Sequence, residues 1–124
     1  MKNVKTEKAP VPVGPYSQAI LIDKLVFCSG QLGIDPRLGK LVATGTVDEA
    51  RQSLKNIGSV LEAAGSSLDK VVKVTIFMTD LDRFKEVNAI YADCFHEPFP
   101  ARTTVGVARL PLGATIEIEV VASL

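Results

Sequence analysis

The segment that most restricts the possible folds of this chain is VVKVTIFM, residues 71–78. It is rich in β-branched and aromatic residues and contains neither glycine nor proline, a composition typical of β-strands. Residues on both sides of it have helical periodicity rather than strand periodicity. The segment therefore predicts a central strand, buried on at least one face and flanked in sequence by two helices.

The first predicted helix runs from Thr46 to about Ala64, where apolar residues recur at spacings of three and four. Thr46 and Glu49 have the spacing of a capping box, in which each side chain binds a backbone N–H at the start of the helix. Gly65 is placed to end it. The second helix is predicted to be capped near Asp80 or Asp82 and to end before the proline-rich segment 98–100. One side of it is apolar and carries Phe84, Val87, Tyr91, Cys94 and Phe95.

The remaining strands are predicted from short β-branched runs bounded by turn residues. They lie at 17–22, 25–29, about 103–109 and 115–122, after an irregular proline-containing lead-in at 9–15. The order β-β-α-β-α-β-β indicates an α+β fold of two layers, with both helices on one face of a single mixed sheet. The other face then needs cover, and a second subunit is the expected source.

Composition narrows the class of protein. With 124 residues the chain forms one domain, residues 1–124, and its net charge of zero argues against nucleic acid as a partner. Two cysteines and one histidine are too few for a disulfide framework or a multi-histidine metal site, so no metal is expected. No signal peptide or membrane segment is recognised, which predicts a reducing intracellular compartment, cytoplasmic or alternatively mitochondrial or peroxisomal.

A few polar residues could carry chemistry. Arg102 follows a rigid Phe-Pro-Ala and could present its planar guanidinium to a carboxylate; alternatively it is a sheet-margin arginine paired with a local acid. Glu117 and Glu119 share one face of the last strand, either as a solvated pair or with one serving as a buried acid or base. Tyr16 could be a lid over a cleft or a packing residue.

Blocks of sequence around these residues resemble the Rid family (YjgF/YER057c/UK114) of enamine and imine deaminases. The resemblance covers nearly the whole chain, in the blocks GPYSQA (14–19), SGQLGIDP (29–36), ARQSLKNI (50–57), FPARTTV (99–105), VARLP (107–111) and IEIEVVA (116–122). It implies a chorismate-mutase-like fold and a homotrimer whose sheets form a central barrel, with active sites between subunits. It also implies hydrolysis of 2-imino or 2-enamino acids to 2-keto acids and ammonia without a cofactor.

The resemblance further implies roles for individual residues. Arg102 would clamp the substrate carboxylate, and Glu117 would orient a water molecule that is also held by the backbone carbonyl of Thr104. Tyr16 would close the cleft. The pocket-lining residues it implies are Ser29, Gly30 and Asn88. Many family members have cysteine at the position of Thr104, so a contribution from a thiol there would be lost in this chain.

Two other functions remain open at this point: an endoribonuclease-type translation inhibitor, and a non-catalytic, chaperone-like trimer that binds small carboxylates. The deaminase hypothesis requires Arg102 and Glu117 to face one hollow between protomers. Placement of these two groups on opposite sides of the sheet would contradict it.

Overall fold

A computed structural model describes residues 1–124. The strands are β1 (Lys2–Val4), β2 (Ala19–Ile22), β3 (Leu25–Leu32), β4 (Ile34–Asp35), β5 (Lys40–Leu41), β6 (Val71–Met78), β7 (Ala101–Gly106) and β8 (Ile116–Ser123). The helices are α1 (Thr46–Ala63) and α2 (Phe84–Cys94). Single turns of 3₁₀-helix lie at Leu68–Lys70, Leu81–Arg83 and Pro111–Gly113. Neither α-helix is long and apolar enough to span a membrane.

Six strands form one mixed sheet in the order β1-β2-β3-β8-β6-β7. All neighbours are antiparallel except β6 and β7, which are parallel because α2 carries the chain back across the sheet. The strands β4 and β5 form a small separate ladder. The predicted α+β fold with one mixed sheet and two helices is confirmed.

Both helices pack on the same face of this sheet. Val74 and Ile76 of β6 are fully buried in one core cluster with Ile57 of α1 and Val87 of α2. The alternate residues of β6 point the other way, toward a face that no element of this chain covers. On that face the side chain of Phe27 is 46% exposed. We call this surface the open face.

The start of α1 differs from the prediction. Its N-cap is Gly45 and no side chain caps it, so the capping box predicted from Thr46 and Glu49 is wrong. The buried Glu49 carboxylate instead accepts hydrogen bonds from the N–H and the hydroxyl of Thr115, both at 2.9 Å. Two donors from a neighbouring segment satisfy this buried carboxylate better than one backbone N–H of its own helix. The glutamate thus fixes the residue that precedes β8.

Other element boundaries follow from tertiary pairing. β1 lies in a polar segment and was not predicted; it pairs with β2 at the edge of the sheet. β3 continues past residue 29 to Leu32 through a bulge. β7 ends at Gly106 rather than near residue 109, because its partner β6 ends at Met78. Gly65, with φ of 85°, ends α1 as predicted.

Buried polar residues of α1 hold the end of β3. The Ser53 hydroxyl donates to the Gln31 carbonyl at 2.7 Å. The Asn56 amide donates to the carbonyls of Leu32 and Ile34, at 3.3 and 2.9 Å. Polar residues of the ARQSLKNI block are therefore structural, and they fix β3 where it leaves the sheet.

Replacement of Asn56 by alanine should destabilise the protein by about 2–3 kcal/mol, since two buried carbonyls lose their donor. Urea unfolding followed by circular dichroism at matched protein concentration measures this. Ser59→Ala is the control, because Ser59 lies on the same helix and its hydroxyl bonds only the Lys55 carbonyl. Equal unfolding midpoints for the two variants would contradict the anchoring role of Asn56.

Candidate active site

Arg102 lies on the edge strand β7, on the helix side of the sheet, because it pairs with the buried Val74. Its Nη1 donates to Oδ1 of Asn88 at 2.8 Å. The guanidinium carbon lies 5.0 Å from the centre of the Phe84 ring and 4.7 Å from that of Tyr91. None of the ion pairs in the chain involves Arg102, so the alternative of an arginine neutralised by a local acid is excluded within the chain.

A groove of about 480 Å³ opens beside this guanidinium. Its lining residues are Asn88, Tyr91, Ala92, Phe99, Pro100 and Arg102. The walls are thus mainly apolar, and Arg102 is the one charged group in them. An unpaired cation at the end of a small apolar groove is suited to a small organic anion.

Glu117 lies on β8 and pairs with Phe77, which places it on the open face. A Cβ atom on Gly30 would come within 2.8 Å of its Oε1, so only glycine leaves room for this carboxylate. Burial raises the pKa of Glu117, and the charge of Glu119 raises it further. A carboxyl group with a raised pKa is a stronger base than an ordinary glutamate, which favours a role in proton transfer.

A β-bulge brings Gly30 against Glu117. Cys28 pairs with Val120 and Gln31 with Ile118, so Ser29 and Gly30 together stand opposite the single residue Glu119. A bulge bends and twists its strand. Because a glycine inside a predicted strand weakens the strand signal, the sequence predicted an end here instead of a bulge.

The lead-in is tied to this bulge. The Ser29 hydroxyl donates to the Ser17 carbonyl at 2.6 Å. The buried Gln18 side chain accepts from the N–H of Thr6 at 2.8 Å and donates to the Pro10 carbonyl at 2.9 Å. Tyr16 precedes these anchors, and its side chain is 51% exposed. The lead-in is therefore fixed at its base, while Tyr16 projects from it.

The structure does not bring Arg102 and Glu117 together within one chain. Arg102 pairs with Val74 on the helix side, whereas Glu117 pairs with Phe77 on the open face. Residues that pair across a ladder share a face, and neighbours along a strand alternate. This is the placement named above as contradicting the deaminase hypothesis, and a site in which one chain supplies both groups is excluded. Only a site built from two copies of the chain could bring the two groups together. Within one chain the predicted residues separate into an Arg102 group with Asn88 and a Glu117 group with Ser29 and Gly30.

Thr104 belongs to the Arg102 side of the sheet, since it pairs with the buried Ile76. Its hydroxyl is buried and has no hydrogen-bond partner, and the same holds for the hydroxyl of Tyr91. The sequence predicts Tyr91 and Phe84 as members of an apolar stripe on α2, and Tyr91 also belongs, with Val87 and Asn88, to a helix that resembles the family; neither was linked to Arg102. Their spacing of three and four residues from Asn88 was the signal that could have joined them to Arg102.

Two further side chains, Cys28 and His96, belong to residue types that can be reactive. Burial, and secondarily the charge of Glu119, raises the pKa of the Cys28 thiol to about 12, so it is not a nucleophile. The exposed His96 lies 3.8 Å from Asp69 at the other end of β6. No three His, Cys, Asp or Glu side chains are grouped so that they could hold a metal ion.

Comparison with known proteins shows similarity over essentially the whole chain. The family model described as Endoribonuclease L-PSP matches residues 6–124. The human 2-iminobutanoate/2-iminopropanoate deaminase is 50% identical, over 96% of this chain and 87% of that protein. RidA from Psychrobacter sp. PAMC 21119 is 42% identical with a TM-score of 0.97, over 100% of both chains. TdcF from E. coli, solved with bound serine, is 36% identical with a TM-score of 0.94, over 100% of this chain and 99% of TdcF.

Substitution of Gly30 by alanine should displace the Glu117 carboxylate, because the new Cβ would stand 2.8 Å from Oε1. A crystal structure of the variant, or the carboxyl ¹³C shift of Glu117, reports the displacement. Gly58→Ala is the matched control, since a Cβ there meets no atom closer than 3.7 Å. An unmoved carboxylate in Gly30→Ala would show that the contact is not restrictive.

Replacing Glu119 by glutamine should lower the pKa of Glu117, because it removes the negative charge that opposes ionisation. The pKa should stay above the ordinary glutamate value, since burial is the larger cause of the shift. A ¹³C NMR titration of the Glu117 carboxyl in both proteins measures this. A pKa that rises, or does not change, would contradict the electrostatic coupling of the two carboxylates.

Proposed function

The chain belongs to the Rid family, and from that premise we propose that it hydrolyses small 2-imino acids, or their enamine tautomers, to 2-keto acids and ammonia. The substrates proposed are 2-aminoacrylate, 2-iminobutanoate and 2-iminopropanoate. The reaction needs water as its only co-reactant, and no cofactor is proposed.

The observation that carries this proposal is the unpaired guanidinium of Arg102 beside a small apolar groove. A guanidinium binds a carboxylate through two parallel hydrogen bonds, which fixes the orientation of the bound molecule. One of its five N–H groups is used by Asn88, so four remain. The apolar groove walls suit the short aliphatic side chain of a 2-iminobutanoate-like substrate.

The proposed site is assembled from two copies of the chain, with Arg102 from one and Glu117 from its neighbour. This arrangement is required because the two groups occupy opposite faces within one chain. The uncovered open face, where Glu117 and the half-exposed Phe27 lie, offers the surface for a neighbouring copy. A homotrimer, with three such sites, is the assembly proposed.

The chemistry of the proposed reaction is an addition followed by an elimination. Water adds to C2 of the imine: the C–O bond forms, the C=N π pair moves to nitrogen, and Glu117 takes one water proton and returns it to that nitrogen, which gives a neutral carbinolamine. Glu117 then takes the hydroxyl proton of the carbinolamine and passes it to the amine nitrogen. The C–N bond breaks with its electron pair on nitrogen, the C=O double bond forms from the O–H pair, and ammonia leaves. The raised pKa of Glu117 suits both transfers.

The other predicted residues have supporting roles in this proposal. The backbone carbonyl of Thr104 would hold the attacking water together with Glu117, a role for which threonine serves as well as cysteine. Tyr16 would close the cleft. Gly30 leaves the space that the Glu117 carboxylate needs, and Ser29 ties the bulge to the lead-in. The contact of Asn88 with Arg102 makes it a positioning residue.

The names of several relatives support this function. The human relative is named for deamination of 2-iminobutanoate and 2-iminopropanoate, and TdcF was solved with serine, a small amino acid that carries a carboxylate. The family model carries the name of an endoribonuclease. Nothing in the site favours RNA as substrate, because the chain has no net positive charge and its single histidine is not among the residues that line the Arg102 groove.

Arg102→Ala should reduce deaminase activity by at least about 100-fold, since the substrate would lose its only cationic anchor. The assay couples a threonine or serine dehydratase to this protein and follows imine loss together with ammonia. Arg37→Ala is the matched control, because Arg37 is an exposed arginine paired with Asp35. The opposing outcome is a wild-type protein that binds 2-ketobutyrate and leaves the imine to decay at its uncatalysed rate. That result would contradict the deaminase and identify a non-catalytic carboxylate binder.

A mixed assembly tests the two-copy site. Arg102→Ala and Glu117→Gln should each be inactive, but co-refolding equal amounts should restore about one quarter of wild-type activity. This fraction arises because a working site needs an intact arginine from one copy and an intact glutamate from its neighbour. Mass spectrometry of differently tagged chains verifies that mixed oligomers have formed. If such oligomers recover no activity, both groups act from one copy and the proposal is contradicted.

A further inference from the structure

One stripe of α2 contacts the Arg102 guanidinium at three points. Phe84, Asn88 and Tyr91 stand at positions i, i+4 and i+7, which lie on the same side of a helix. Two of them are rings whose centres lie 5.0 and 4.7 Å from the guanidinium carbon, and the third is an amide oxygen 2.8 Å from Nη1. We call these three residues the Arg102 cradle.

The two kinds of contact restrict different motions. An aromatic ring attracts a cation toward its face, which holds the guanidinium over the helix. The Asn88 oxygen accepts along one N–H direction, which fixes the rotation of the guanidinium in its own plane. Because Asn88 accepts from only one of the five N–H groups of Arg102, the other four remain available to a ligand.

What Tyr91 contributes is its ring rather than its hydroxyl. The hydroxyl is buried and bonds nothing. The centre of the Tyr91 ring also lies 4.5 Å from the centre of the Phe95 ring, which is buried. Packing against the core therefore fixes the orientation of the Tyr91 ring. The position of Arg102 is thereby coupled to the packing of α2 on the sheet.

We propose that the Arg102 cradle is a positioning device: Phe84, Asn88 and Tyr91 hold the guanidinium ordered before substrate arrives, with its edge presented to a planar carboxylate. This inference rests on the proposed function of Arg102 as a carboxylate anchor. An anchor that is already ordered loses less conformational freedom on binding and binds more tightly. The cradle residues are therefore determinants of affinity and do not touch the reacting atoms.

The test uses the full-length protein and two measurements. Nitrogen-15 relaxation of the arginine Nε–H groups reports the order of Arg102, with Arg37 in the same spectra as an internal reference. Calorimetric titration with 2-ketobutyrate, a product that does not react, reports binding. The variants are Asn88→Ala, Phe84→Leu and Tyr91→Leu, with Tyr91→Phe as the conservative variant that keeps a ring. Asn88 is exposed, so its variant keeps the core intact.

We expect the Nε–H of Arg102 to be as ordered as the backbone in the wild type and to lose that order in Asn88→Ala and Tyr91→Leu. The Kd for 2-ketobutyrate should rise about threefold to fivefold in each single variant and about tenfold in Phe84→Leu/Tyr91→Leu. In the deaminase assay, KM should rise by the same factors while kcat changes less than about twofold. This is the pattern expected when an interaction is lost equally from the bound substrate and the transition state. Tyr91→Phe should recover most of the affinity.

Two results would contradict the positioning role of the Arg102 cradle. Either the Arg102 side chain stays ordered in every variant, or it loses order while the Kd for 2-ketobutyrate does not change. The proposed function fails in a different way. A wild type that binds no 2-keto acid and clears no imine would contradict the deaminase, whereas loss of Arg102 order on removal of Asn88 would still support the cradle.

Discussion

The pairing of β6 with its two neighbours decides on which faces of the sheet Arg102 and Glu117 lie. The parallel ladder with β7 places Arg102 beside Val74, and the antiparallel ladder with β8 places Glu117 beside Phe77. Since a strand alternates its side chains, no rotamer change can bring the two groups to one face. A shift of one residue in the register of β7 or β8 would bring both groups to one face, but it would also turn the buried residues of that strand out of the core. The packing that stabilises the fold therefore also divides the site.

Much of this fold could be predicted from periodicity. The segment 71–78, the two amphipathic helices and the alternating last strand each carry a strong local signal, and they lie where the sequence placed them. The features that escaped prediction depend on partners distant in sequence. β1 is a strand only because β2 lies beside it, and Glu49 leaves its predicted cap because Thr115 offers two donors. Local patterns carry no information about such partners.

Arg102, Glu117, Gly30 and Asn88 could be selected from the sequence as candidate residues, but the geometry of the site could not be predicted. Arg102 and Glu117 were selected by motif, yet their faces depend on the register between strands that are not adjacent in sequence. The bulge at Ser29 and Gly30 was hidden because glycine weakens a strand signal. The partners of Arg102 on α2 were hidden for the opposite reason, since Phe84 and Tyr91 fit an apolar core stripe equally well.

Division of the site between copies links acid–base chemistry to assembly. On the open face Glu117 and Glu119 are neighbours, and burial and their mutual repulsion already raise the pKa of Glu117. A covering copy removes water from this face and raises that pKa further unless it also supplies a positive group. In the proposed two-copy site that group is Arg102, which opposes the rise. In that proposal the guanidinium that anchors the substrate would also limit how weak an acid Glu117 becomes, so its placement by α2 would affect both substrate binding and proton transfer.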